Sequence, residues 1–199
     1  GMAVGEVSGP GLDVATGTGD FTFDLLRHRQ VTGVVGLDFT RAMLPLAIEK
    51  ARDRGCEDRI EFMAGDAHAL PFPDDSFICA TVGFGVRNFI DVPLALREMR
   101  RVVRPGGRVV ILEIVRQDGL NPIGKLFPLY FRRVTPWMGA LFAGDREAYT
   151  YLPESVQGFL SAEELAEMMQ GAGLVNVSYR SLGLGTVAIH VGEKKESRK

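Results

Sequence analysis

Three short stretches combine residue types that could hold a nucleoside. The first is Asp13-Val14-Ala15-Thr16-Gly17-Thr18-Gly19-Asp20. Gly17 and Gly19 let the backbone approach a ligand closely, and the amides at the start of a following helix offer donors to a carboxylate or phosphate. The second is Asp38, about 20 residues past the loop, where a carboxylate can accept both hydroxyls of a ribose. The third is Gly65-Asp66-Ala67. There an acid can accept from an exocyclic amine while a flat ring rests against the alanine. Alone, the glycine loop would be a tight strand-to-helix turn and Asp38 a turn or cap residue. Each is expected at the end of a consecutive strand, and together they describe a nucleoside pocket.

The loop discriminates between nucleosides. A dinucleotide fingerprint needs a third glycine three residues after the second. Thr22 stands there, and Asp20 would repel a pyrophosphate. S-adenosylmethionine has no phosphate. It carries a ribose, an adenine, an amino-acid end and a positive sulfonium, which suit an acid-rich pocket better than NAD does. The dinucleotide stays as the alternative.

These residues need strands and helices to position them, and the apolar pattern supplies both. Strands are expected at Leu12–Ala15, Gly33–Leu37, Arg59–Met63, Phe77–Val82, Arg108–Val115, Leu174–Ser181 and Thr186–Gly192. Helices are expected from Asp20 to His28, from Arg41 to Arg54, from a cap at Asp91, and from a capping box at Ser161–Glu164. Pro45 is tolerable in a first turn. The alternation predicts an α/β fold: a doubly wound, mostly parallel seven-stranded sheet of the Rossmann-like kind. The last two strands are joined by the short Leu182–Gly185 stretch, so they should pair as an antiparallel hairpin. One domain should cover residues 1–199, with an aromatic-rich insertion at about 118–151.

Composition narrows the class. With 46% hydrophobic and 24% charged residues the chain is too apolar to be disordered. No apolar run is long enough for a spanning helix. A net charge of −2 gives no general attraction to nucleic acid, so no nucleic-acid partner is expected. Cys56 and Cys79 form no metal or disulfide pattern, which fits a reduced, cytoplasmic chain.

Further stretches carry a resemblance. The Leu12–Asp20 loop and Asp38-Phe39-Thr40-Arg41-Ala42-Met43-Leu44 are similar to class I methyltransferases. Asp66–Pro73, Phe84-Gly85-Val86-Arg87-Asn88-Phe89, Arg101–Glu113 and Tyr149–Val156 resemble the C-methyltransferases of menaquinone and ubiquinone biosynthesis, over about Gly11 to Lys194. The resemblance implies S-adenosylmethionine as donor. It implies donor contacts at Thr18 with Gly17 and Gly19 (amino-acid end), Asp38 (ribose), and Asp66 with Ala67 (adenine). The family often has serine after the fourth strand, where this sequence has Gly83, and prefers serine at the position of Val115. Its members carry a helical segment ahead of the loop, which this sequence reaches at Asp13. A non-catalytic donor-binding remnant and a methyltransferase for another small apolar acceptor are therefore the alternatives.

The implied reaction methylates a ring carbon of a lipophilic, polyprenylated quinol, and a phenol is a poor carbon nucleophile until its hydroxyl ionises. Arg87 is the candidate cation beside that oxygen, and Asn88 the residue that orients the acceptor or a water; their bland readings are a surface ion pair and a turn cap. His68 and His190 could act as bases near neutral pH, though a packed histidine is the commoner role. The aromatic insertion would shelter the isoprenoid tail, and its Lys125, Arg132, Arg133 and Arg146 could rest on a membrane surface. No metal is expected, and the oligomeric state stays open, a dimer included.

Overall fold

The computed structural model describes residues 2, 8–116 and 159–196. The aromatic-rich stretch expected at about 118–151 lies outside the described residues. In chain order the elements are β1 (Gly9–Val14), α1 (Asp20–Leu25), β2 (Val31–Asp38), α2 (Leu44–Asp53), β3 (Ile60–Ala64), β4 (Phe77–Gly83), α3 (Val92–Val102), β5 (Val103–Ile114), α4 (Ala162–Gly171), β6 (Leu174–Leu182) and β7 (Val187–Lys194).

The strands form one sheet in the order β3-β2-β1-β4-β5-β7-β6. The first four pairings are parallel, and β7 runs antiparallel to both β5 and β6. The expected doubly wound sheet with a C-terminal hairpin is what forms. The order reverses between β1 and β4, so a crevice opens at their carboxyl ends.

Both faces are covered, which is why β1 and β4 are near-continuous apolar runs. One core gathers Leu12, Val14, Val82 and Ile111 under α3 (Leu96, Met99) and α4 (Leu165, Met169). On the other face Leu25 of α1 packs with Val31, Val34, Cys79 and Val110. Burial pushes the Cys79 thiol up to about 12, so it is an inert core residue. Asp91 caps α3 by accepting from the Leu94 amide at 2.9 Å. The Ser161/Glu164 capping box opens α4, with both reciprocal bonds made.

Three boundaries differ from expectation. α1 stops at Leu25; the Arg27 and His28 amides bond back three residues, to Asp24 and Leu25, and close a tighter turn. Arg41–Met43 is a single 3-10 turn, and α2 begins only at Leu44, with Pro45 in its first turn. β5 starts at Val103 rather than Arg108. Its pairing with β4 jumps from Phe77↔Val103 to Cys79↔Arg108, so Arg104–Gly107 bulges out of the strand instead of ending it. Among the described residues no helix is long and apolar enough to cross a membrane.

Candidate functional site

A buried acid anchors the glycine loop. Asp13 on β1 is 1% exposed and accepts hydrogen bonds from three hydroxyls: Thr16 of the loop (2.7 Å), Thr22 of α1 (2.8 Å) and Thr81 of β4 (2.9 Å). Burial raises its carboxyl to about 6, against the opposing pull of those hydroxyls. One side chain thus ties the loop, the helix that follows it and the neighbouring strand. Sequence reasoning missed this anchor; an acid inside an apolar strand is the signal that could have found it, since a buried carboxylate must find such partners.

The loop then turns sharply. Ala15, Gly17 and Gly19 all have positive φ, of 54°, 55° and 87°. At Gly19 a side chain would be strained by that φ and would press on the Phe23 and Phe62 rings at 3.0–3.1 Å. The Gly17 amide donates to Asp38 Oδ2 at 2.7 Å, and the Thr40 amide to Asp38 Oδ1 at 2.8 Å. Asp38 is therefore fixed by two backbone donors at the tip of β2, and each oxygen keeps a lone pair for a further donor.

Past β3, Asp66 Oδ1 accepts from the His68 amide at 2.9 Å and faces His68 Nδ1 at 2.6 Å. The His68 amide, then its ring, hold the Asp66 carboxyl below its usual range. Arg101 of α3 clamps the same loop. It donates to both Glu98 oxygens (2.7 and 2.8 Å), to the Leu70 and Phe72 carbonyls (2.9 and 2.8 Å) and to Asp74 (2.9 Å), which uses all five of its N–H groups. The Leu70 amide returns a bond to Glu98 at 2.9 Å.

These strand tips enclose a cavity of about 570 Å³, within the usual range for a small-molecule site. Of the expected site residues, Gly17, Asp38, Asp66, Ala67 and Asn88 line it, with His68, Met43 and Gly83. Phe39, Phe84 and Ile90 sit at its rim, and Ile90 is 99% exposed. Thr18, Gly19 and Arg87 stand outside the lining. The Thr18 hydroxyl accepts from Lys50 Nζ at 2.7 Å, which turns it toward α2. The Phe21 ring of α1 occupies the place a Cβ at Gly83 would take.

Arg87 occupies the 3-10 turn after β4 and is not a surface pair. Its guanidinium bonds Glu113 of β5, a carboxylate with 0% exposure, and its amide donates to the same group at 3.2 Å. The Ile114 amide adds a third donor at 2.8 Å. Sequence reasoning missed Glu113 as a partner. His190 is also fully buried, with Nε2 2.8 Å from the Ala162 carbonyl and no partner at Nδ1 among the described residues. It lies outside the cavity lining, as a core histidine.

A sequence model described as the ubiE/COQ5 methyltransferase family matches residues 3–194. The chain belongs to that family. It is 46% identical to the demethylmenaquinone methyltransferase of Thermus thermophilus, over 92% of this chain and 81% of that protein. It is 44% identical to the ubiquinone/menaquinone biosynthesis C-methyltransferase UbiE of Hahella chejuensis, over 92% of this chain and 74% of that one. Solved structures share the fold at low identity. The [4+2]-cyclase SpnF superposes with a TM-score of 0.73 at 21% identity, covering 98% of this chain and 79% of its own. Phosphoethanolamine N-methyltransferase 2 of Haemonchus contortus, solved with S-adenosyl-L-methionine, gives 0.70 at 14% identity, covering 98% and 50%. This protein is a methyltransferase enzyme with the class I fold.

Proposed function

We propose that this methyltransferase moves a methyl group from S-adenosylmethionine to a ring carbon of a polyprenylated quinol, demethylmenaquinol or a related benzoquinol. The observation that carries the reading is the pair of strand-tip carboxylates, Asp38 and Asp66, lining one cavity in a chain whose relatives are named for that reaction. The donor set fits the ligand: two acids for the ribose and adenine, a small Ala67 for the ring face, and no third glycine for a pyrophosphate. When bound, S-adenosylmethionine supplies an electrophilic methyl on a positive sulfur.

The chain's own residues bind and orient. Asp38, held by the Gly17 and Thr40 amides, accepts the ribose hydroxyls. Asp66 accepts the adenine amine, and Ala67 packs against the base. Gly17 and Gly19 carry the loop past the amino-acid end, with Thr18 stiffened by Lys50. Asn88 faces the acceptor. Arg87 stands outside the lining with its charge balanced by Glu113, so it stabilises negative charge on the quinol oxygen only once its guanidinium turns from that carboxylate into the cavity. Arg87 stays protonated, so water or a nearby acid takes the phenolic proton. The ring carbon bonds the methyl as the sulfur–methyl bond breaks, and that carbon then loses its own hydrogen as a proton to restore the aromatic ring. Phe39, Phe84 and Ile90 give the rim an apolar surface for an isoprenoid tail and for peripheral contact with a membrane.

Calorimetry with S-adenosylhomocysteine, followed by turnover of demethylmenaquinol, tests the reading. Binding with turnover is expected. Binding without turnover identifies a donor-binding remnant. Turnover of a water-soluble acceptor in place of the quinol identifies a different substrate class.

A further inference from the structure

The two walls of the cavity belong to different loops. One is the turn after β3 that carries Asp66, Ala67 and His68. The other is the segment after β4, residues 84–90, which runs into the cap of α3 at Asp91. The His68 side chain bonds to both. Its Nδ1 lies 2.6 Å from Asp66 Oδ1, and the Asp91 amide donates to its Nε2 at 3.1 Å. A ring nitrogen that accepts from an amide carries no proton, so Nε2 is bare and Nδ1 bears the hydrogen. The Nδ1–H therefore donates to Asp66. The ring also meets Phe89 edge-on, with centroids 5.8 Å apart. Its neighbours' other bonds are already made: the Asp91 carboxylate caps Leu94, and Asp66 Oδ1 takes the His68 amide as well.

We propose that His68 is a positioning residue that clasps the two walls of the pocket, holding Asp66 for the nucleobase through Nδ1 and the wall bearing Arg87 and Asn88 through Nε2. The clasp rests on the reading of the cavity as the donor pocket. It assigns one imidazole two separable duties. The first fixes the carboxylate lone pair left for the donor's adenine. The second sets the distance between the donor's base and the residues that meet the acceptor.

The two halves can be removed independently. Asparagine places an amide N–H where Nδ1 stands, and glutamine places an amide oxygen where Nε2 stands. The experiment uses the full chain with H68A, H68N and H68Q, and D38A as the pocket control. It reads S-adenosylhomocysteine affinity by calorimetry, steady-state turnover of demethylmenaquinol, and the imidazole tautomer by nitrogen chemical shifts. H68A should weaken S-adenosylhomocysteine by about tenfold, the loss of one hydrogen bond to a charged group. H68N should restore that affinity while turnover stays low. H68Q should restore part of the turnover while affinity stays low. The wild-type spectrum should show the Nδ1–H tautomer. Wild-type binding and turnover in H68A, identical losses in all three variants, or an Nε2–H tautomer would overturn the clasp. Weakened binding in D38A beside normal binding in H68A sinks the clasp alone; normal binding in both sinks the pocket reading itself.

Discussion

Glu113 grips Arg87 from inside the sheet: a carboxylate with no solvent exposure bonds both the guanidinium and the amide of a residue on the next strand's loop. Removing one partner of such a buried pair leaves a charge uncompensated and costs about 3–5 kcal/mol. E113Q should therefore lower the melting temperature and turnover together. The neutral double variant R87M/E113Q should recover much of the melting temperature and no turnover. Recovered turnover would take Arg87 out of the reaction. R87K keeps the charge but loses the planar fork, so turnover should fall while S-adenosylhomocysteine affinity is unchanged.

Asp38 has a double duty that a strand-tip acid read from sequence does not reveal. Besides facing the cavity it holds the Gly17 and Thr40 amides. D38A removes the ribose acceptor and frees the loop at once. Affinity for S-adenosylhomocysteine should drop by about 10- to 100-fold, the range for hydrogen bonds to a charged group. Far-UV circular dichroism should be unchanged, because Asp38 lies at the end of β2 and outside the two cores. Unchanged affinity would mean that the nucleoside binds elsewhere.

Two buried titratable groups pull stability in opposite directions with pH. Asp13 is raised from 3.8 to about 6 in the folded chain. Between those values the folded state holds the extra proton, so stability falls as pH rises through the interval, by on the order of 3 kcal/mol in all. Burial lowers His190, so its contribution is present above the ordinary imidazole range and is lost as pH falls toward the folded value. Denaturant unfolding across the acid-to-neutral range should show a flattened profile. H190Q keeps a donor to the Ala162 carbonyl and should gain stability on acidification. D13N should lose it more steeply than wild type. Parallel profiles for the three chains would refute both assignments.

The parts of the site legible in the sequence are those that follow the chain locally. Apolar runs ended by glycine or aspartate marked β1, β2 and β3, and so located Asp38, Asp66 and Ala67 at strand tips. Capping residues marked the starts of α3 and α4. What stayed hidden crosses the sheet or joins distant helices. Arg87 meets Glu113 because β4 and β5 are neighbours, and Asp13 meets Thr81 because β1 and β4 are. Lys50 of α2 reaches Thr18 of the glycine loop across 32 positions. The Arg104–Gly107 bulge looks like a turn in sequence because glycine and proline mark both; only the resumed pairing with β4 distinguishes them.

Phe21 and Gly83 form a matched pair: the ring stands where a side chain at position 83 would go. A Cβ at position 83 would overlap the Phe21 ring, so a serine there has no room unless this phenylalanine shifts. The ring belongs to the short helix α1, whose Thr22 bonds Asp13, so making room for a side chain at position 83 requires the ring to move. G83S should cost about 1–3 kcal/mol by overpacking and should also weaken S-adenosylhomocysteine, because the displaced ring moves the glycine loop. F21A alone should open a cavity next to the pocket and cost stability as well. In the double variant F21A/G83S the hydroxyl fills part of that space, so the melting temperature should rise above that of either single variant, a non-additivity expected of residues in contact. Additive losses across the two-by-two set, measured by thermal unfolding, would show that the ring and the glycine are independent.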